Sequence, residues 1–132
     1  MEREVTEVRL EAAAAAAVMF QKGGREMKMK SRFETLEVSL DLVRAIRPWM
    51  EEIRRRDAEL ARQIRDAASS ACLNLGEGRR RAGKDRTYHY RIAAGSADEA
   101  TVGLRLAEAW GHVSEASILA ALKINDRLQA ML

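Results

Sequence analysis

A single cysteine, Cys72, excludes an internal disulfide framework and any cysteine-based zinc site, and it fits a reducing cytoplasm. Only one proline, Pro48, interrupts a chain that is otherwise free to be helical. Aromatic residues are 5% of the sequence, so alanine, leucine and charged side chains dominate, which is a helix former's vocabulary. No apolar run approaches the roughly eighteen residues of a membrane-spanning helix, so no membrane partner is expected. Two histidines and the absence of any Glu-x-x-His motif leave too few ligands for a metal-loaded four-helix bundle. The pairs Asp85 with His89 and Glu108 with His112 have helical spacing but no ligands on a second helix, so neither a metal nor a cofactor is expected.

What is present is a 132-residue chain, one domain's worth, long enough to bury a single core. Twenty-three basic residues nearly balance twenty acidic ones, so placement matters more than the net charge of +3. Residues 1–30 are expected to be an N-terminal extension, partly helical or disordered, and residues 31–132 a helical bundle. Met1–Phe20 has alanine and Glu/Arg pairs but no regular apolar stripe, and its mixed charges argue against a signal peptide. Gln21–Lys30, with Gly23-Gly24 and several bases, is expected to be a linker. Met27 or Met29 is a candidate translation start, which N-terminal sequencing would check.

Helical periodicity then recurs four times. The first helix is expected from about Phe33 to Arg55. Its apolar lines are Leu36, Leu40, Val43 and Val38, Leu42, Ala45, Trp49, Ile53, and Pro48 is expected to kink or restart it. Asp57 is a plausible N-cap for a second helix from about Ala58 to Leu75, with the stripe Leu60, Ile64, Ala67, Ala71, Leu75. Gly76 and Gly78 are expected to end it in left-handed conformations. A third helix runs from about Lys84 to Gly111, with Ile92, Val102, Leu106, Ala109 and Val113 assigned to its inner face. Gly95-Ser96 and Gly103 are expected to mark close backbone approaches. Ser114 and Glu115 start a fourth helix through Ile118, Ala121, Leu122, Asn125, Leu128 and Leu132. Short connections make this an all-α, antiparallel up-down-up-down four-helix bundle.

The sharpest local feature is the segment Arg79 to Arg91. It holds six bases and one acid, with Tyr88, His89 and Tyr90 interleaved. Bases at this density suit phosphate contacts, and aromatic rings can stack on unpaired bases. The competing reading is a solvated basic loop whose tyrosines pack into the bundle. Arg54-Arg55-Arg56 lies at the other end of such a bundle and reads as a solvated turn balanced by Glu51, Glu52 and Asp57. Cys72 reads as a small core residue and not a nucleophile. Asn74, Glu77 and Glu99 read as capping or inter-helix hydrogen-bonding groups. No partner base supports a general acid among them, so no catalytic residue is assigned and the protein is not expected to be an enzyme.

The order Phe33-Glu34-x-Leu36-Glu37-Val38, Gln63-Ile64-Arg65-x-Ala67, Asn74-Leu75-Gly76-Glu77-Gly78 and Ala94-Gly95-Ser96-x-x-Glu99 resembles the family encoded in intervening sequences of bacterial 23S ribosomal RNA genes. The resemblance covers about Arg32 to Leu132. It makes Asn74, Gly76, Glu77, Gly78, Gly95, Ser96 and Glu99 the structural motif residues. It implies a four-helix bundle assembled as a ring-shaped homopentamer. It also implies a kinship with the accessory variability protein of diversity-generating retroelements, whose basic surface binds nucleic acid and a reverse transcriptase. Carried onto this chain, the nucleic-acid surface would comprise Arg79, Arg80, Arg81, Lys84, Arg86 and Arg91, with Arg65 and Arg62 added from the second helix. Asp66 stands where relatives usually carry a second base, Leu75-Gly76 replaces Ile-Ala, Pro48-Trp49 departs from the usual turn, and residues 1–30 have no counterpart. The expectation is a cytoplasmic, non-enzymatic homo-oligomer that holds structured RNA or an RNA/DNA hybrid. The alternative is an adaptor ring that docks a protein such as a reverse transcriptase.

Overall fold

The computed structural model describes residues 24–132, with side chains from residue 31 onward. Among these residues four helices follow one another: α1 (Gly24–Arg56), α2 (Ala58–Gly78), α3 (Gly83–Ala109) and α4 (Glu115–Met131). Each packs on two neighbours, α1 on α2 and α4, and α3 on α2 and α4, which is the up-down-up-down bundle the periodicity predicts. No helix among the described residues is long and apolar enough to cross a membrane. The helix expected over Met1–Phe20 lies outside the described residues. Of the linker expected over 21–30, residues 24–30 are helical and form the first turns of α1.

Local chemistry sets the ends of the elements. The Leu60 amide donates to Asp57 Oδ1 at 3.0 Å, and the Ser117 amide to Ser114 Oγ at 3.2 Å, so both expected N-caps act as such. Gly111, at φ +80°, turns the chain after α3. Three expectations give way. α1 is continuous through Pro48, which is exposed, so the helix does not restart there. Gly76 and Gly78 are not left-handed: α2 runs through both and closes with Arg79 in the right-handed helical region. The reason for glycine at 78 is proximity, because a Cβ there would lie 2.8 Å from His89 Cβ and 2.9 Å from the Tyr90 ring.

The third correction concerns α3. Its buried residues are Ala93, Ala97, Ala100, Thr101, Leu104 and Ala107. Val102 and Leu106, assigned to the inner face by their size, are 61% and 46% exposed, and Ala109 is also exposed. Alanines admit a neighbouring backbone closely, so the smaller stripe turns inward against α2. Gly103 continues that approach, since a Cβ there would stand 2.6 Å from Ile64 Cγ1. No such approach exists at Gly95. The rest of the core follows the sequence pattern in part: Val38, Leu42 and Ile53 from α1, the whole stripe Leu60, Ile64, Ala67, Ala71 and Leu75 from α2, and Ile118, Ala121, Asn125 and Leu128 from α4 are buried as expected. Ile46 and Ile124 join them from outside the expected stripes, and Leu36, Leu40, Val43, Ala45, Trp49 and Leu122 are only half-buried, with Leu132 exposed.

Candidate functional site

The connection from α2 to α3 is a tight turn built from the basic segment itself. Arg80 N donates to Glu77 O at 3.3 Å and Arg81 N to Gly78 O at 3.0 Å. Gly83, at φ +59°, then redirects the chain into α3. The N-cap residue of α3 is Ala82, which offers no side-chain acceptor. Arg86 stabilises the turn from the other side, its Nε and Nη2 donating to Arg81 O at 3.0 and 2.7 Å. Arg81 reaches back to Glu77 Oε1, with Nε 3.0 Å away. The hydrogen bond from Arg81, helped by its charge, holds the Glu77 carboxyl below its ordinary range.

The predicted surface therefore divides by role. Arg81 and Arg86 hold the turn together. Arg79 is half-buried, and its carbonyl accepts from Arg32 Nη1 at 3.4 Å. Arg80, Lys84 and Arg91 are exposed and make no ion pair among the described residues. Arg65 is exposed on α2, fourteen residues before Arg79, or about 20 Å along the helix axis. It lines a separate groove of about 750 Å³ between α1 and α2, with Val43, Ile46, Met50 and Arg62. Arg62 there is held by Glu59 at 2.6 Å and by Asp66 at 2.9 Å. The structure thus does not bring Arg65 or Arg62 to the basic turn.

The two tyrosines separate likewise. Tyr88 is exposed and stands edge-on to His89, with ring centroids 5.5 Å apart. Tyr90 packs against the core beside Gly78. At the opposite end of the bundle, Arg54 and Arg56 pair with Glu51 and Glu52 at 2.6 and 2.9 Å, and Arg55 also pairs with Glu52. This is the solvated, balanced turn the sequence suggests.

The motif residues meet across α2 and α3. His89 Nδ1–H donates to Asn74 Oδ1 at 3.0 Å, Asn74 Nδ2 donates to Ser70 O at 2.9 Å, and Ser70 Oγ shares a hydrogen bond of 2.9 Å with Ser96 Oγ. Asn74 and Ser96, twenty-two positions apart in the sequence, are thus joined through Ser70. Glu99 is exposed, and Gly76 and Gly95 have open space where a side chain would stand. Cys72 is half-buried beside Ser39 O, and burial pushes its thiol pKa up. Among the described residues no group of three or more His, Cys, Asp or Glu side chains gathers in metal-binding fashion.

Two features escape the sequence reading. Arg32, in the first turns of α1, joins the basic turn through Arg79. The second is the outward face of α3, where Tyr88, Gly95, Val102, Leu106 and Trp110 follow one another at steps of seven, seven, four and four. Tyr88, Val102 and Trp110 are more than 60% exposed. That spacing was a readable signal of a second apolar stripe, opposite the alanine stripe.

Comparison with known proteins adds one finding. The sequence model of the 23S rRNA-intervening sequence protein family matches residues 31–132. No curated protein and no solved structure matches the chain.

Proposed function

Because the chain belongs to the 23S rRNA-intervening sequence protein family, we propose that it is a non-enzymatic, cytoplasmic homo-oligomer that holds structured RNA by its phosphates. Copies of the bundle join in a ring, with five subunits as the family resemblance suggests. The observation that carries the nucleic-acid reading is the set of exposed cations without ion pairs around the α2–α3 turn, Arg80, Lys84 and Arg91. The basic turn at the opposite end of the bundle, Arg54 to Arg56, is by contrast spent on carboxylates. In a ring this turn recurs in every subunit, so weak phosphate contacts add along one RNA. The assembly reading is supported by the outward stripe of α3, because large apolar side chains in a row mark a surface that another molecule covers.

The test is light scattering after size-exclusion chromatography, with and without a structured RNA, at two salt concentrations. An oligomer that shifts with RNA at low salt and releases it at high salt is the expected result. Replacing Arg80, Lys84 and Arg91 by alanine should weaken binding and reduce the salt slope by roughly 0.7–0.9 for each phosphate no longer neutralised. Unchanged affinity in that variant refutes the assignment. The outward face of α3 also suits a second reading, an adaptor that docks a protein such as a reverse transcriptase. An oligomer indifferent to RNA would favour it.

A further inference from the structure

The two tyrosines of the basic segment have opposite surroundings. Tyr90 is packed against Gly78 and the core. Tyr88 is 62% exposed. On α3, Lys84 stands one turn before Tyr88 and Arg91 one turn after it, about 6 and about 4.5 Å along the axis at roughly 1.5 Å per residue. Both cations are exposed and make no ion pair among the described residues. The carboxylate nearest in sequence, Asp85, lies in the first turn of α3, where the helix N-terminus stabilises a negative charge.

Trp110, the exposed aromatic at the far end of α3, has different company: the exposed Leu106 and Val102 precede it at one and two turns. Tyr88 is set apart from that apolar group. Val102 lies fourteen residues beyond it, or about 21 Å along the axis. Between them on the same line is Gly95, with nothing within 4 Å of where its Cβ would stand.

The Tyr88 ring is also steadied from behind. His89 meets it at a T-shaped angle with ring centroids 5.5 Å apart. His89 is in turn tied to α2 by the 3.0 Å hydrogen bond to Asn74 Oδ1. An exposed aromatic ring that is held in place loses less freedom when a ligand covers it. A ring in solvent between two free cations matches the chemistry of a nucleotide, a planar base joined to anionic phosphates. In a duplex the base faces are stacked on one another and have none to offer such a ring, whereas loops, bulges and ends splay theirs out.

We infer that Tyr88 is a stacking platform for one unpaired base, with Lys84 and Arg91 holding the phosphates on either side of that nucleotide. The platform rests on the RNA reading and sharpens it: the favoured ligand is RNA with an unpaired loop or bulge, and not an uninterrupted duplex.

The experiment uses the full chain and two substitutions, Tyr88→Ala and Tyr88→Phe, with circular dichroism to check the fold and light scattering to check oligomer size. The probes are an RNA hairpin with 2-aminopurine in its loop, a fluorescent base quenched by stacking, and a blunt RNA duplex with the same number of phosphates. Tyr88→Ala should bind the hairpin about tenfold more weakly, the loss of one stacked base, and the duplex as the wild type does. Tyr88→Phe should keep the hairpin affinity, because the ring and not the hydroxyl carries the contact. Wild type and Tyr88→Phe should quench the loop base, and Tyr88→Ala should not. Hairpin affinity and quenching unchanged in Tyr88→Ala overturn the platform and leave the RNA reading standing. Binding of neither RNA by the wild type overturns the RNA reading and the platform with it. A smaller oligomer in Tyr88→Ala, with equal losses on both RNAs, places Tyr88 between subunits and overturns the platform alone.

Discussion

Gly78 and Gly103 carry the closest approaches between α2 and α3, but their neighbours differ in how far they can yield. At Gly78 a new Cβ meets His89 Cβ at 2.8 Å and the Tyr90 ring at 2.9 Å, atoms tied closely to the α3 backbone. At Gly103 it meets the Ile64 side chain. Both Gly78→Ala and Gly103→Ala should therefore destabilise by about 1–3 kcal/mol in urea unfolding, with Gly78→Ala the larger. Gly95→Ala is the contrast, since nothing lies within 4 Å of its Cβ position. It should stabilise an isolated bundle by about 0.5–1 kcal/mol through helix propensity alone. A loss there instead would place Gly95 against another molecule. Cys72 belongs at this scale too. With its pKa raised by burial, it should react with iodoacetamide at neutral pH markedly more slowly than in the unfolded chain.

Among the elements, α1 contains its own weak point. Pro48 removes a hydrogen bond from the helix interior yet stays exposed. Pro48→Ala should raise stability, by an amount approaching the roughly 3 kcal/mol by which the two residues differ in helices. Helix ends are also dressed with ion pairs whose pH dependence has a definite sign. Glu51, Glu52, Glu59 and Glu77 are held below the ordinary carboxylate range, each first by a hydrogen bond, from Arg54, Arg56, Arg62 and Arg81 respectively. A depressed folded pKa contributes stability that is present above the unfolded value, 4.5 here, and is lost as pH falls through the lower folded values. All four pairs are exposed, so the contribution is small and screened by salt. Urea midpoints compared at pH 7 and pH 3 should fall toward acid, and the part of that fall due to these pairs should shrink in high salt.

For the whole molecule, the question is why α3 has two apolar faces. Its inner face of alanines packs on α2 and α4, and its outer face of Tyr88, Val102, Leu106 and Trp110 is left uncovered by the described residues of its own chain. Leu106→Glu combined with Trp110→Glu should convert an oligomer to monomers of unchanged helix content, read by light scattering and circular dichroism. Monomers that still bind RNA as tightly as the wild type would separate assembly from binding. Equal oligomer size in the double variant would show that this face does not carry the assembly.

The element pattern was legible from the sequence because helix formation and capping are local. A stripe at steps of three and four, Asp57 and Ser114 ahead of it and Gly111 behind it, act over one or two turns, so four helices in antiparallel order follow from residues close in the chain. The α2 stripe was read residue for residue for the same reason. The candidate site was legible only as composition, a run of bases after Gly78. Tertiary packing decided what those residues do. Which α3 face turns inward depends on how closely alanines and Gly103 let Ile64 approach, a matter of shape between helices and not of hydrophobicity along one. Arg32 joins Arg79 across 47 positions of sequence, and Gly78 is kept for the Tyr90 ring and not for a turn. Such meetings depend on three-dimensional proximity, which periodicity does not encode.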